Sequence, residues 1–179
     1  MERLALLLRG INVGGRRRVG MAELRDLLEE LGYEDVRTLL QSGNAVVGAA
    51  DAPDAVVAAV EKGIRERFGL DVGVVVRTAA EIADVVAANP LGDVATDGAK
   101  QVVVFLSAEP DPEALAQIDA AALAPERFVV RGREIHAWLP GGQQRSPLMQ
   151  ALSRPSIAPG AIATVRNWNT VTKLRDMLA

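Results

Sequence analysis

Two halves of this sequence carry the same order of strand-like and helix-like patterns, which leaves few possible folds. In residues 1–78 the apolar spacing and turn residues predict a strand, a helix, a hairpin of two strands, a helix and a strand. This β-α-β-β-α-β order is the signature of a ferredoxin-like module. The predicted elements are 4–8, 24–31, 36–40, 45–47, 53–69 and 72–76.

The second half repeats this order and adds a helix at its end. Its predicted strands are 102–106, 127–130, 135–139 and 162–165, and its predicted helices are 112–123, 143–152 and 168–178. A connecting helix over 79–88 and a polar loop separate the halves. We therefore predict an α+β fold of tandem ferredoxin-like modules with antiparallel sheets. Module 1 is 1–78, the connecting segment is 79–100, and module 2 with its terminal helix is 101–179.

Composition narrows the possible classes of protein. Hydrophobic residues make up 49% of the chain and aromatics only 3%, so the core must be aliphatic. The net charge of −3 argues against a dedicated nucleic-acid-binding protein, because phosphate contacts need an excess of Lys and Arg. There is no cysteine, which excludes disulfides and thiolate chemistry. Without a signal-peptide pattern or an apolar run of about 20 residues, we expect a cytoplasmic protein with no membrane partner.

The predicted topology collects polar loops at one end of each module. In module 1, residues 9–18 follow the first strand, and the turn 41–44 lies at the same end of the sheet. In module 2, segments 140–146 and 166–170 share the opposite end. Two modules packed about a pseudo-twofold axis would bring these loops together across a cleft. That packing is a hypothesis.

The glycine-rich loop of module 1 has the chemistry of an anion site. Its backbone N–H groups lead to a helix N-terminus, with Arg9 and the run Arg16-Arg17-Arg18 beside them. The alternative is a simple glycine loop with solvated arginines. Within a site, Arg9 and Asn12 would matter more than the arginine run. Ser42-Gly43-Asn44 either adds a hydroxyl and an amide to that site or is only a favourable hairpin turn.

The segment 166–170, Arg-Asn-Trp-Asn-Thr, is the other candidate. One asparagine can cap the terminal helix and Trp168 can anchor the core, which leaves Arg166 and the second amide for a ligand. Lys173 is expected to face the same site. The predicted ligand-binding residues are Arg9, Asn12, Gly14, Gly15, Ser42, Asn44, Arg166, Asn167, Asn169, Thr170 and Lys173.

Catalytic machinery is not recognisable in the sequence. The single histidine, His136, lies in a predicted strand without a partner motif, and we interpret it as a core or surface residue. Ser42, Ser146 and Thr170 lie in no activating motif. No acidic or histidine cluster has metal-ligand spacing, so no metal site is predicted. Enzymatic activity, cofactors and oligomeric state are left open.

Four segments, read in order, resemble one bacterial family. They are Leu-Leu-Arg-Gly-Ile-Asn-Val-Gly-Gly at 7–15, Gln-Ser-Gly-Asn at 41–44, Asn-Pro-Leu at 89–91 and Thr-Val-Arg-Asn-Trp-Asn-Thr-Val at 164–171. The chain resembles the family catalogued as domain of unknown function 1697. The resemblance implies two ferredoxin-like subdomains and no agreed activity. Pro147 stands where the family usually has lysine, so a role for that lysine does not carry over.

Three functions are compatible with these features. The first is binding of a small anionic or nucleotide-like ligand between the modules. The second is a regulatory or protein-interaction scaffold without chemistry. The third is an RNA-binding module, which is the weakest because the expected central strands 4–8 and 45–47 contain no aromatic residue for base stacking.

Overall fold

The computed structural model describes all residues, 1–179, and the chain divides into two compact units. Unit 1 contains Met1–Asp84 and Lys173–Ala179, and unit 2 contains Val85–Thr172. Residues 173–179, which the sequence predicted to be part of module 2, belong to unit 1 in this division. They associate with unit 1 because the Arg3 guanidinium donates to the carbonyls of Met177 and Ala179, each at 2.8 Å. Arg37 also donates to Met177 O.

Unit 1 is built on a four-stranded antiparallel sheet in the order β2-β3-β1-β4. Two helices connect its strands, and a third follows the last strand and continues into unit 2. The elements are β1 (Glu2–Leu8), α1 (Met21–Glu30), β2 (Glu34–Leu39), β3 (Asn44–Ala49), α2 (Pro53–Phe68), β4 (Val74–Thr78) and α3 (Ala79–Ala87).

The core of unit 1 lies between this sheet and the helices α1 and α2. Leu4, Leu6 and Leu8 of β1 are buried in one aliphatic cluster with Leu28 of α1 and Ile64 of α2. The residues between them on β1 are also fully buried. A continuous apolar run is typical of a strand buried on both faces, and the burial of β1 confirms that interpretation.

Unit 2 carries a second four-stranded antiparallel sheet, in the order β6-β7-β5-β8. Its elements are β5 (Gln101–Leu106), α4 (Pro112–Ala116), β6 (Arg127–Arg131), β7 (Glu134–Trp138), α5 (Pro147–Leu152), a short 3-10 helix (Pro155–Ile157), β8 (Ala163–Asn167) and α6 (Trp168–Leu178). One face of this sheet is apolar, and its core includes Val102, Val104, Ile135 and Leu148. The predicted α+β class with two similar antiparallel modules is confirmed.

Two helices of unit 2 are shorter than predicted. The helix expected over 112–123 ends at Ala116, because Gln117 N–H already bonds back three residues to Ala114 O at 3.3 Å. Asp119 Oδ1 then accepts from Ala122 N–H and closes a separate turn. Alanine-rich composition alone predicted a longer helix, but side-chain capping of this kind competes with helix propagation.

The helix expected over 143–152 begins at Pro147. Ser146 is its N-cap, and the Ser146 Oγ accepts from Met149 N–H at 2.9 Å. Glu126 Oε2 accepts from Leu148 N–H at the same helix start. No helix of the chain is both long enough and apolar enough to cross a lipid bilayer.

Candidate functional site

The strand register of unit 1 brings the β1–α1 loop and the β2–β3 turn to one end of the sheet. Leu7 pairs with Asn44, and Leu8 N–H donates to Gly43 O at 2.8 Å. The two loops also touch directly, because Asn12 Nδ2 donates to Gln41 O at 2.7 Å. We call residues 9–18 and 40–44 the basic end of unit 1. Six predicted site residues lie here: Arg9, Asn12, Gly14, Gly15, Ser42 and Asn44.

Gly14 and Gly15 form the tip of a miniature hairpin within the β1–α1 loop. Val13 and Arg16 are bridged, and Arg16 N–H donates to Val13 O at 3.0 Å. The φ angles of the two glycines are 58° and 75°, which a tight hairpin turn of this kind requires. Their conformation is therefore explained by the turn.

Asn12 fixes the position of this hairpin. Its Nδ2 donates to Val19 O at 2.9 Å and to Gln41 O, and its Oδ1 accepts from Val19 N–H at 2.9 Å. Its backbone has φ 54°, a conformation that asparagine tolerates better than most residues. Both amide hydrogens are used within the chain, so the side chain shapes the loop.

The arginines of the basic end differ in their contacts. Arg17 is held to the loop, since its Nε donates to Gly10 O at 2.8 Å and its Nη2 to Asp71 O at 2.5 Å. Arg18 Nε donates to Gly15 O at 3.2 Å. Arg9 and Arg16 are exposed, and no hydrogen bond or ion pair within the chain engages their side chains.

The carboxylate of Asp71 lies near this loop but pairs with an arginine outside it. Asp71 Oδ1 forms an ion pair with Arg65 at 2.6 Å, and this pairing raises the pKa of Arg65. Arg17 contacts only the backbone carbonyl of Asp71. The basic end therefore presents positive charge to solvent.

The β2–β3 turn separates a buried amide from an exposed hydroxyl. Asn44 is fully buried, and its Nδ2 donates to Leu39 O at 2.8 Å and to Ser42 Oγ at 3.1 Å. Ser42 itself is exposed. Gly43 has φ 87°, and an added Cβ would lie 2.7 Å from Ile11 Cδ1 and 2.8 Å from Leu8 Cβ. Asn44 and Gly43 thus shape the turn, while Ser42 is accessible.

A second group of predicted residues lies in unit 2, where β7 and β8 end on either side of the start of β5. Gln101 pairs with Trp138 and Val102 with Asn167. Asn167 caps α6, because its Oδ1 accepts from Thr170 N–H at 2.9 Å and from Thr170 Oγ1 at 3.0 Å. Of the two capping alternatives, the structure has Asn167.

Asn169 and Lys173 are exposed. Asn169 lies against Gly98, whose carbonyl accepts from Trp168 N–H at 3.0 Å. Lys173 is exposed on the part of α6 that belongs to unit 1. Both side chains are accessible from solvent.

Arg166, which the sequence analysis left for a ligand, is buried. Only 7% of its surface is accessible. Its Nη1 donates to Thr164 Oγ1 at 2.6 Å and to Val165 O at 2.8 Å. Burial lowers the pKa of Arg166 to about 10, so the guanidinium stays protonated at neutral pH. The sequence did not reveal this burial because Ala163 and Val165 pack on the apolar core and alternation places Arg166 on the opposite face of the sheet, where a sequence pattern predicts exposure.

His136 belongs to the same sheet and was not among the predicted site residues. It is 1% exposed, and its Nδ1 has no hydrogen-bond partner. Its ring lies 6.3 Å from the Trp168 ring, centroid to centroid. Burial, and secondarily the charge of Arg131, lowers the pKa of His136 to about 4, so the imidazole is neutral at neutral pH. One feature of the sequence could have singled out His136: it lies between Ile135 and Ala137, which are in the apolar core, so alternation along the strand places its side chain on the opposite face of the sheet.

No group of three or more His, Asp or Glu side chains in residues 1–179 is arranged to hold a metal ion. The groups available for polar contacts are the exposed guanidinium groups and hydroxyl of unit 1 and the exposed Asn169 amide and Lys173 ammonium groups of α6.

Comparison with known proteins identifies the family. The model of a protein family of unknown function, DUF1697, matches residues 1–136. The chain belongs to this family. The match ends at His136, so the segment 164–171 that contributed to the resemblance lies outside it.

A solved structure shows the same fold along nearly the whole chain. It is a conserved bacterial protein of Streptococcus pneumoniae, 24% identical, with a TM-score of 0.75 and 99% of each chain covered. At that identity the likeness concerns the fold alone. No curated protein matches the sequence.

Proposed function

We propose that this chain binds a small anionic or nucleotide-like ligand, and that the anionic group contacts the basic end of unit 1. The observation that carries the proposal is the exposure of the Arg9 and Arg16 side chains, which form no hydrogen bond or ion pair within the chain. Arg18 is exposed beside them and keeps its terminal nitrogens free of internal bonds. Ser42 adds a hydroxyl at the same end.

Guanidinium groups suit this role because their planar fork matches the oxygens of a phosphate or carboxylate. The loop that carries them is already fixed by the Asn12 bonds and the Gly14-Gly15 turn. A preorganised loop loses little conformational entropy when a ligand binds. Charge and rigidity together favour an anion over a neutral ligand.

The residues of the basic end take different roles in this proposal. Asn12, Asn44, Gly14 and Gly15 hold the shape of the loops. Arg9, Arg16 and Ser42 contact the ligand. Of the other predicted residues, Arg166, Asn167 and Thr170 are assigned structural roles, while Asn169 of unit 2 and Lys173 of unit 1 are exposed and are kept as candidates for polar contacts.

We also propose that each unit has the ferredoxin-like topology. The support is the β-α-β-β order at the start of each unit, together with sheet orders in which the first strand lies between the third and the fourth. In unit 2 the 3-10 helix at 155–157 is an addition to this plan.

The test is a thermal-shift and calorimetry screen with inorganic pyrophosphate, nucleoside triphosphates, sugar phosphates and a short single-stranded RNA. A ligand at 100 times its dissociation constant stabilises a fold by about 2.7 kcal/mol, which is readily seen. The double variant Arg9→Ala/Arg16→Ala should abolish the shift.

The matched control is Arg145→Ala/Arg154→Ala, which removes two exposed arginines from unit 2. Equal loss in both double variants would mean that only net charge matters, and the proposed site would be rejected. The absence of a shift with every compound would also contradict the proposal.

A further inference from the structure

The two sheets have four edge strands, β2, β4, β6 and β8, and β6 differs from the others in its regularity and exposure. β2 is interrupted by a bulge between Glu34 and Arg37, with Asp35 at φ 50°. β4 is buried over Val74–Arg77, and Thr164 and Arg166 of β8 are buried. β6 alone combines an uninterrupted register over Arg127–Arg131 with exposed residues at both ends.

The free side of β6 offers backbone groups for pairing. β6 and β7 are joined by the two-residue turn Gly132-Arg133, so the closing pair Arg131 and Glu134 is hydrogen-bonded. Alternate pairs along an antiparallel ladder repeat this pattern, which makes Val129 and His136 the next bonded pair. The N–H and C=O groups of Phe128 and Val130 therefore point away from β7, to the side where the sheet has no further strand.

The side chains of β6 define what can pair with it. Arg127 and Arg131 are exposed and lie on the same face, with half-buried Val129 between them. Phe128 and Val130 are also half-buried and pack on the apolar core of unit 2. Unlike many natural edge strands, β6 contains no proline and no bulge that would prevent pairing.

A second copy of the chain is a poor partner for this edge. If two β6 strands paired antiparallel about Val129, Arg127 of each would lie opposite Arg131 of the other. Like charges directly opposite each other destabilise a sheet. Carboxylates at those two positions would instead form cross-strand pairs with the arginines, so charge complementarity favours an acidic strand.

We propose that β6 binds an extended acidic segment of a partner protein by antiparallel strand addition. The segment places carboxylate side chains opposite Arg127 and Arg131 and a β-branched side chain opposite Val129. Backbone bonds to Phe128 and Val130 supply affinity, and the two arginines supply specificity, as in other cases of strand addition. This surface is independent of the basic end of unit 1.

The probe is a fluorescent peptide containing Glu-Val-Thr-Val-Glu, which has acidic residues at the required spacing. Fluorescence anisotropy should show saturable binding to the full chain. The double variant Arg127→Glu/Arg131→Glu should weaken it at least tenfold and should instead bind the peptide Lys-Val-Thr-Val-Lys. Hydrogen exchange should show protection of the Phe128 and Val130 amides when the acidic peptide binds.

Three outcomes would overturn the proposal. One is the absence of binding to the acidic peptide. The second is an equal loss of peptide binding in the control Arg145→Glu/Arg154→Glu, which changes the net charge by the same amount at positions outside β6. The third is dimerisation through β6, detected by analytical ultracentrifugation and abolished by Val130→Pro. If the proline variant fails to fold, the Arg127→Glu/Arg131→Glu variant and the lysine peptide still test the proposal. Substitutions of these exposed arginines leave the core intact.

Discussion

The ring of His136 lies 6.3 Å from the ring of Trp168, with the two planes tilted by 52°. His136 is on β7 and Trp168 begins α6, so this contact joins the sheet of unit 2 to the helix that follows its last strand. The imidazole is buried near the positive charge of Arg131, and both effects disfavour its charged form. Lowering the pH should therefore destabilise unit 2, because protonation of His136 is unfavourable in the folded chain.

We expect the free energy of unfolding to fall as the pH is lowered from neutral. The pKa of His136 is about 4 in the folded chain and 6.5 in the unfolded chain, so the unfolded state takes up the proton first. The contribution is fully present above pH 6.5 and is lost towards pH 4, with a difference of about 2 kcal/mol already at pH 5. Urea titrations of wild type and His136→Gln at pH 7 and pH 5 measure it. A pH dependence identical in the two proteins would contradict the assignment.

Arg9 and Arg166 should differ sharply in their effect on stability. Arg9 is exposed, so Arg9→Ala should change the free energy of unfolding by less than about 0.5 kcal/mol. Arg166→Ala removes a buried side chain and its bonds to Thr164 and Val165, and should cost about 2 kcal/mol or more. Chemical denaturation of both variants gives the comparison. Equal small effects would show that Arg166 is not structural.

Asn12→Ala should destabilise unit 1 although the residue is only half-buried. It loses the three side-chain hydrogen bonds and places alanine at φ 54°, which together should cost about 2 kcal/mol. Asn12→Gly is the control, because it loses the same bonds and tolerates the backbone conformation. The glycine variant should be the more stable of the two in thermal denaturation, and the reverse order would argue against backbone strain.

Gly43→Ala should be more damaging than Gly132→Ala. Both positions have positive φ, but only at Gly43 would the new methyl group collide with Ile11 and Leu8. We expect about 1 kcal/mol for Gly132→Ala and at least 2 kcal/mol more for Gly43→Ala. Differential scanning calorimetry of the pair separates the collision from the backbone cost, and similar melting temperatures would show that the turn relaxes freely.

The fold could be predicted from the sequence where the pattern was strong. The run at 4–8 and the leucines of α1 gave elements that the structure contains, because apolar periodicity reports burial directly. The helix expected over 112–123 was too long, since the competing Asp119 turn depends on one local hydrogen bond.

The candidate site was less accessible to such reasoning. Sequence indicated that Asn12, Asn44 and Asn167 were special, but the amide chemistry that binds a ligand also holds a loop or caps a helix. Only the three-dimensional contacts show that these amides are used internally. Burial of Arg166 and the unsatisfied His136 likewise depend on packing, which a single sequence does not report.

In the β1–α1 loop, the residues that determine the backbone conformation differ from the residues that present charge, and this has an evolutionary consequence. Asn12 and the turn glycines determine the path of the backbone, whereas the side chains of Arg9 and Arg16 form no hydrogen bond or ion pair on which that path depends. Substitutions at the arginines can therefore accumulate without passing through misfolded intermediates. Members of the family can diverge in what they recognise while inheriting the same loop.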